Sequence, residues 1–215
     1  ASFRLLLTGT PMRSDGEDAV WMGYDSRGCI DHPQGGTYTL SYGEAVELGY
    51  CRPVLFHRHH GEFQVDVAGE SVTVRGDREA IFSEEVARVP NISQVLDFFR
   101  LATTPQYEPD RYTPKFGSYQ ESMVIDASAK LDEIRHELPN AGGLVIAQSI
   151  EWAEIFAKLI ERIEGEPPFI VHSQAANSDS LIEAFKGSTK RWIVSVNMIT
   201  EGVDIKRLRV LVYLP

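Results

Sequence analysis

The sequence predicts an α/β fold with a parallel sheet covered by helices on both faces, and three observations in its last hundred residues predict it. Short apolar runs alternate with longer stretches of helical periodicity, the connections between them are brief, and glycines stand where the helices should stop. Tyr119 to Leu138 repeats Val124, Ala127, Leu131, Ile134 and Leu138 at spacings of three and four, one helix face. Leu144 to Ala147 reads as a strand. Trp152, Ile155, Phe156, Leu159, Ile160 and Ile163 then form a second helical stripe ending at Gly165, with Glu154 and Lys158 expected to pair outside it. Phe169 to His172 reads as a strand; Leu181, Ile182 and Phe185 mark a short helix, with Ser180 and Glu183 as its capping box and Gly187 as its stop. Trp192 to Val196 and Leu208 to Leu214 complete four strands. Apolar strands joined through helices imply parallel pairing with both faces covered.

The earlier part is less regular. Phe3 to Leu7 is an apolar run that stops abruptly at Thr8, Gly9, Thr10 and Pro11, as a buried strand delivering a loop would. Ser14 to Gly36 is rich in Gly, Asp and Ser and reads as irregular; Tyr42 to Leu48 suits a short helix. Arg52 to His57 and Glu62 to Arg75 alternate like strands, the latter turning at Ala68, Gly69 and Glu70. Asp77 to Leu101 reads as two helical pieces broken at Pro90, and Thr103 to Ser118, with its prolines and aromatics, as a linker. The expected organisation is therefore an opening piece over residues 1–20, a β-rich and helical connecting region over 21–118, and an α/β domain over 119–215.

Composition bounds the function. With 43% hydrophobic and 24% charged residues the chain suits an ordinary globular protein able to bury a core. No apolar run has the length of a bilayer span and no signal pattern opens the chain, so a cytoplasmic location and no membrane partner are expected. Cys29 and Cys51 are too few for a disulfide scaffold. A net charge of −10 argues against coating nucleic acid by electrostatics alone, so any such contact must be local. Cys29, His32, Cys51, His57, His59 and His60 have donor atoms for zinc but not finger spacing, and no metal site is assigned to the chain.

Ligands of open parallel sheets bind at the carboxyl ends of strands, which directs attention to two loops. Thr8, Gly9 and Thr10 put two hydroxyls around a glycine after the opening strand. Thr200, Glu201, Gly202, Val203 and Asp204 follow the third strand of the later domain, joining a glycine that permits close backbone approach to a carboxylate able to accept from ribose hydroxyls. Gln148 and Ser149 end a strand between them. Each also has a plainer reading: Thr8 to Thr10 and Gly202 to Asp204 as turns, and Ser149 as the N-cap of the following helix. Trp152 keeps helical register with aliphatic neighbours and reads as core. The basic groups Lys186, Lys190, Arg191 and Lys206, Arg207, Arg209 read first as solvated faces.

Three stretches resemble a known family. LLLTGTPMRSD (5–15) is similar to helicase motif III, LVIAQSIEWAEIFAKLI (144–160) to motif IV, and WIVSVNMITEGVDIKRLRVLVYLP (192–215) to motif V. The family is the superfamily-two DEAD/DEAH-box-like DNA helicases, close to the translocating subunits of restriction enzymes; residues 16–139 match nothing nameable. The resemblance implies a RecA-like second helicase domain. It places Thr8, Gly9 and Thr10 in the loop that couples nucleotide state to grip, Gln148 and Ser149 toward a nucleic-acid strand, Gly202 and Asp204 toward the nucleotide, and Thr200 and Glu201 between those duties. ATP and Mg²⁺ are the implied cofactors and DNA the implied partner, with nuclease, repair or restriction domains as further partners in a longer protein. The family often has Ala at Gly9 and Pro at Lys206. The sequence lacks GxxxxGK[ST], the magnesium-holding acidic motif and the arginine motif, so on this reading it begins and ends inside a catalytic unit, and the isolated chain is expected to be inactive. Asp132 to His136 mimic an acidic box but fall on a helix face. Two rivals stand beside the helicase: a non-catalytic α/β binding module, and a restriction motor that translocates without separating strands. An upstream phosphate loop would speak against the first, and an attached nuclease for the second.

Overall fold

The computed structural model describes residues 23–27, 38–57, 60–105, 107–115, 118–196, 198–199 and 203–213. Packing divides the chain into two units, residues 1–57 and 58–215. In the first, α1 (Tyr42–Glu47) begins with a capping box: the Ser41 hydroxyl accepts from the Glu44 amide and the Glu44 carboxylate accepts from the Ser41 amide at 2.9 Å. The Ser41 amide, and then the Ser41 hydroxyl, which also donates to that carboxylate at 2.7 Å, hold the Glu44 carboxyl below its ordinary value. The strand expected over residues 52–57 does not form. Two of its backbone groups turn instead to one side chain, Tyr42, whose hydroxyl donates to the Arg52 carbonyl and accepts from the Val54 amide.

The second unit opens with an antiparallel hairpin, β1 (Glu62–Val67) and β2 (Glu70–Arg75), with Phe63 opposite Val74 and Val65 opposite Val72. One face packs Val72 and Val74 onto Val86, Ile92 and Leu96. Ala68 and Gly69 make the two-residue turn with φ of 52° and 83°. Right-handed strand twist selects such positive-φ turns, which alanine adopts poorly. Ala68→Asn should therefore stabilise the protein by about 0.5 kcal/mol; a lowered unfolding midpoint in a denaturant titration would contradict that account.

Residues 77–101 contain not two helical pieces but three short helices: α2 (Glu84–Ala87), α3 (Ile92–Val95) and α4 (Phe98–Thr103). Pro90 is one cause and Asp97 the other, because its carboxylate accepts from the Arg100 amide and starts a new helix. Phe63, Phe98 and Tyr119 form a trio with centroids 5.2–6.1 Å apart, Phe63 tilted to the other two and Phe98 edge-on to Tyr119, joining the hairpin and α4 to the larger core.

That larger core surrounds a four-stranded parallel sheet of order β4-β5-β3-β6, built from β3 (Gly142–Ile146), β4 (Phe169–His172), β5 (Trp192–Val196) and β6 (Leu208–Tyr213). Alternation sorts its side chains. Val145, Trp192, Val194 and Val212 face α5 (Ser118–Glu137) and α6 (Ile150–Glu164), while Leu144, Val171 and Ile193 face α7 (Ser178–Lys186). This is the α/β arrangement expected, a parallel sheet with helices on both sides. Gly165, at φ 76°, ends α6 where the sequence places the stop. For α7 the expected capping box is absent: Asn177 is the N-cap, and Ser180 lies inside the helix. Ser178 explains the earlier start, since its hydroxyl accepts from the His172 amide and donates to the His172 carbonyl, fastening α7 to the end of β4. Among the described residues no helix is long and apolar enough to cross a membrane.

Candidate functional site

All four strands run the same way, so the sheet has a carboxyl edge and an amino edge, and the candidate residues divide between them. At the carboxyl edge, β3 delivers Gln148 and Ser149 into α6. The Ser149 hydroxyl accepts from the Trp152 amide at 3.2 Å, which makes it the helix N-cap. Gln148 is exposed, but its Nε2 donates to the Thr103 carbonyl at 2.8 Å, and the buried Trp152 indole donates to the same oxygen at 2.7 Å. The end of α4 is thereby clamped beside the start of α6. Gln148 keeps its carbonyl oxygen and a second amide hydrogen for other partners.

Sequence reasoning missed a residue beside them. Ser195 is buried, and its hydroxyl accepts from the amides of Met198 and Ile199, shaping the first turn after β5. Its signal was one hydroxyl within the otherwise apolar run WIVSV. Near the end of β4, His172 Nδ1 is buried without a hydrogen-bond partner.

Asp204 belongs to the other edge. It is exposed and borders an open cavity of about 400 Å³ with Asn140, Lys186, Lys206 and Arg209. Asn140 precedes β3 and Lys186 ends α7, so the length of β3 separates Asp204 from Gln148, on the order of 16 Å. The structure does not bring these two candidates together. Thr8, Gly9, Thr10, Thr200, Glu201 and Gly202 lie outside the described residues.

The amino edge is basic in sequence, yet most of its cations hold the fold. Arg207 is buried and donates to the carbonyls of Asn140, Phe185 and Lys190 while its guanidinium lies 4.2 Å from the centre of the Phe185 ring. Burial, and then the neighbouring Arg135, hold its pKa below the ordinary arginine value. Arg135, from the stretch that mimics an acidic box, donates to the carbonyls of Ala141 and Thr189. Lys186 pairs with Glu183, Lys190 with Glu166, and Arg191 with Asp132 and Glu164. The solvated-face reading fails at Arg207, which is buried among carbonyls, and Lys186, Lys190 and Arg191 are held in ion pairs.

One further feature flanks α6. Residues 107–114, expected to be a linker, form a closed turn: Tyr107 bridges Pro114, and the Asp110 carboxylate accepts from the Tyr112 and Thr113 amides and from the Thr113 hydroxyl. Those bonds, the Thr113 hydroxyl first, hold the Asp110 carboxyl below its ordinary value. Tyr107 donates to Glu151 in the first turn of α6, and that bond raises the phenol's pKa. A proline-rich stretch thus acquires structure because one aspartate side chain accepts from the backbone amides of its turn.

No family model matches the chain. An uncharacterized protein found in two strains of Mycobacterium tuberculosis is 33% identical over 216 residues, and an uncharacterized protein of Mycobacterium leprae is 32% identical. These alignments take in 99% of this chain but 32–33% of the relatives, so the chain spans about a third of their length. Among solved structures, the second domain of the DEAD-box helicase Mss116p bound to an RNA duplex is similar over 43% of this chain and 38% of that chain, at 13% identity and a TM-score of 0.35. A likeness that slight carries no argument about function.

Proposed function

We propose that this chain is part of an ATP-dependent nucleic-acid motor of the superfamily-two helicase kind, acting on DNA. The observation that carries the reading is the course of the segment between β5 and β6. Its first described residues, Met198 and Ile199, are bound to Ser195 at the carboxyl edge, and its last, Asp204 and Ile205, lie beside Asn140 and Lys186 at the amino edge. One segment therefore reaches from the edge that holds Gln148 and Ser149 to the cavity that holds Asp204.

A motor needs such a connection. Its nucleotide and its track occupy different surfaces, and a change at one must be felt at the other. In this reading Gln148 and Ser149 meet the nucleic-acid strand, Asp204 with Gly202 meets the nucleotide, and Thr200 and Glu201 lie on the connecting path. Thr8, Gly9 and Thr10 serve the same coupling from the opening piece. The phosphate loop, the Mg²⁺-holding acid and the arginine motif belong to parts of a longer protein, in which ATP sits between two domains whose closure alternates with hydrolysis.

The test is made on a full-length protein carrying this region. Its ATPase should rise on addition of single-stranded DNA, and the 215-residue chain alone should show none. Asp204→Ala should lower kcat/KM for ATP about tenfold or more, with the unfolding midpoint unchanged because Asp204 is exposed. ATPase that ignores nucleic acid would overturn the motor reading, and unaltered kinetics would remove Asp204 from the nucleotide site.

A further inference from the structure

Between the 107–114 turn and the outward side of α6 lies an open cavity of about 350 Å³, bordered by Tyr107, Arg111, Tyr112, Glu154 and Lys158. It lies beside the α6 start capped by Ser149, since Glu151, two residues on, both lines it and holds Tyr107. Tyr112 is 84% exposed although the turn beneath it is tightly bonded, so a large aromatic face is presented on a fixed base. Arg111 adopts a φ of 63°, a conformation costly for a residue with a side chain. Unlike Lys186, Lys190 and Arg191, neither Arg111 nor Lys158 has an ion-pair partner among the described residues.

We propose that this cavity receives an unpaired base of a single-stranded nucleic acid, stacked on Tyr112, with Arg111 and Lys158 meeting the adjoining phosphates. The proposal rests on the reading of the carboxyl edge as the nucleic-acid face. A base fits the lining better than a bare phosphate does. The Glu151 carboxylate already occupies the positive end of α6 and Glu154 adds a second negative charge, so the lining carries no excess positive charge that would select a bare phosphate, while Arg111 and Lys158 can each meet a phosphate that flanks a stacked base. Glu154 can accept a hydrogen bond from the exocyclic amino group of a base, and an exposed tyrosine ring binds any base through its π face.

The experiment titrates the 215-residue chain into a short oligodeoxynucleotide carrying one 2-aminopurine, at about 50 mM salt to retain phosphate contacts. Fluorescence anisotropy reports binding and quenching of the 2-aminopurine reports stacking. The wild type should bind and quench. Tyr112→Ala should weaken binding about tenfold and abolish the quench, as expected for loss of one stacking contact, while Tyr112→Trp should retain both. Wild-type binding that Tyr112→Ala leaves unchanged in affinity and quench would overturn the base pocket and leave the motor reading standing. Failure of the wild type to bind the oligonucleotide would overturn the pocket together with the nucleic-acid face on which it rests.

Discussion

Glu164→Ala should destabilise the parallel-sheet unit by about 3 kcal/mol, in the range for removing one partner from a buried charged network. Glu164 ends α6, where the helix dipole disfavours a carboxylate. It is held there by three side chains at once. Its Oε1 accepts from the Trp192 indole of β5 at 2.7 Å and from the Ser128 hydroxyl of α5, and its Oε2 lies 2.7 Å from Arg191 Nε. The Arg191 contact is an ion pair without good hydrogen-bond alignment, since that N–H has no acceptor in line. The carboxylate side chain is only 8% exposed and the guanidinium 20%, so solvent screens the pair little. Loss of Glu164 leaves the indole N–H without its acceptor and takes from Arg191 one of its two carboxylate partners, Asp132 remaining. Glu164→Gln keeps an acceptor for the indole and should cost about half as much. Urea unfolding followed by tryptophan fluorescence measures both; a loss below about 1 kcal/mol for the alanine variant would show that the network contributes little.

Gly143→Ala should be comparably damaging, by about 3 kcal/mol, the upper end for forcing volume into a packed core. A Cβ at Gly143 would sit 2.2 Å from Trp192 Cζ3, and one at Gly142 would sit 2.9 Å from Phe185 Cζ. The two glycines that open β3 therefore admit one large ring against each face of the central strand. Neither needs glycine for its dihedral angles. The reason is space, and it can be tested by coupling: Trp192→Leu should be destabilising alone, yet should restore part of the stability lost in Gly143→Ala when the two are combined. Strict additivity of the two losses would assign the glycine some other role.

These two predictions use contacts that the sequence could not display. Gly142 and Gly143 stand just before the apolar run at Leu144, and nothing in the run of letters says that Trp192, forty-nine positions after Gly143, lies over it. Arg207 reads as one of a basic group, but packing brings the carbonyls of Asn140, Phe185 and Lys190 around it and commits its guanidinium to the fold. The same limit applies to the candidate site. Ser149 was legible as a cap because capping is a bond to a residue three positions away. Gln148 was not legible as a clamp on Thr103, because that bond spans forty-five positions.

The sequence by itself determined the local elements of the later domain: β4 over Phe169–His172, β5 over Trp192–Val196, the stop of α6 at Gly165, and the apolar stripes that cover the sheet. Periods of two and of 3.6 residues are set by backbone geometry, so a short window contains them. Tertiary structure alone decided that Asp204 and Gln148 occupy opposite edges of the sheet, which basic residues are committed to carbonyls and carboxylates, and that Tyr112 stands out beside α6. Those outcomes depend on strand order and on side chains meeting across dozens of residues, and no short-range pattern in the chain specifies such meetings.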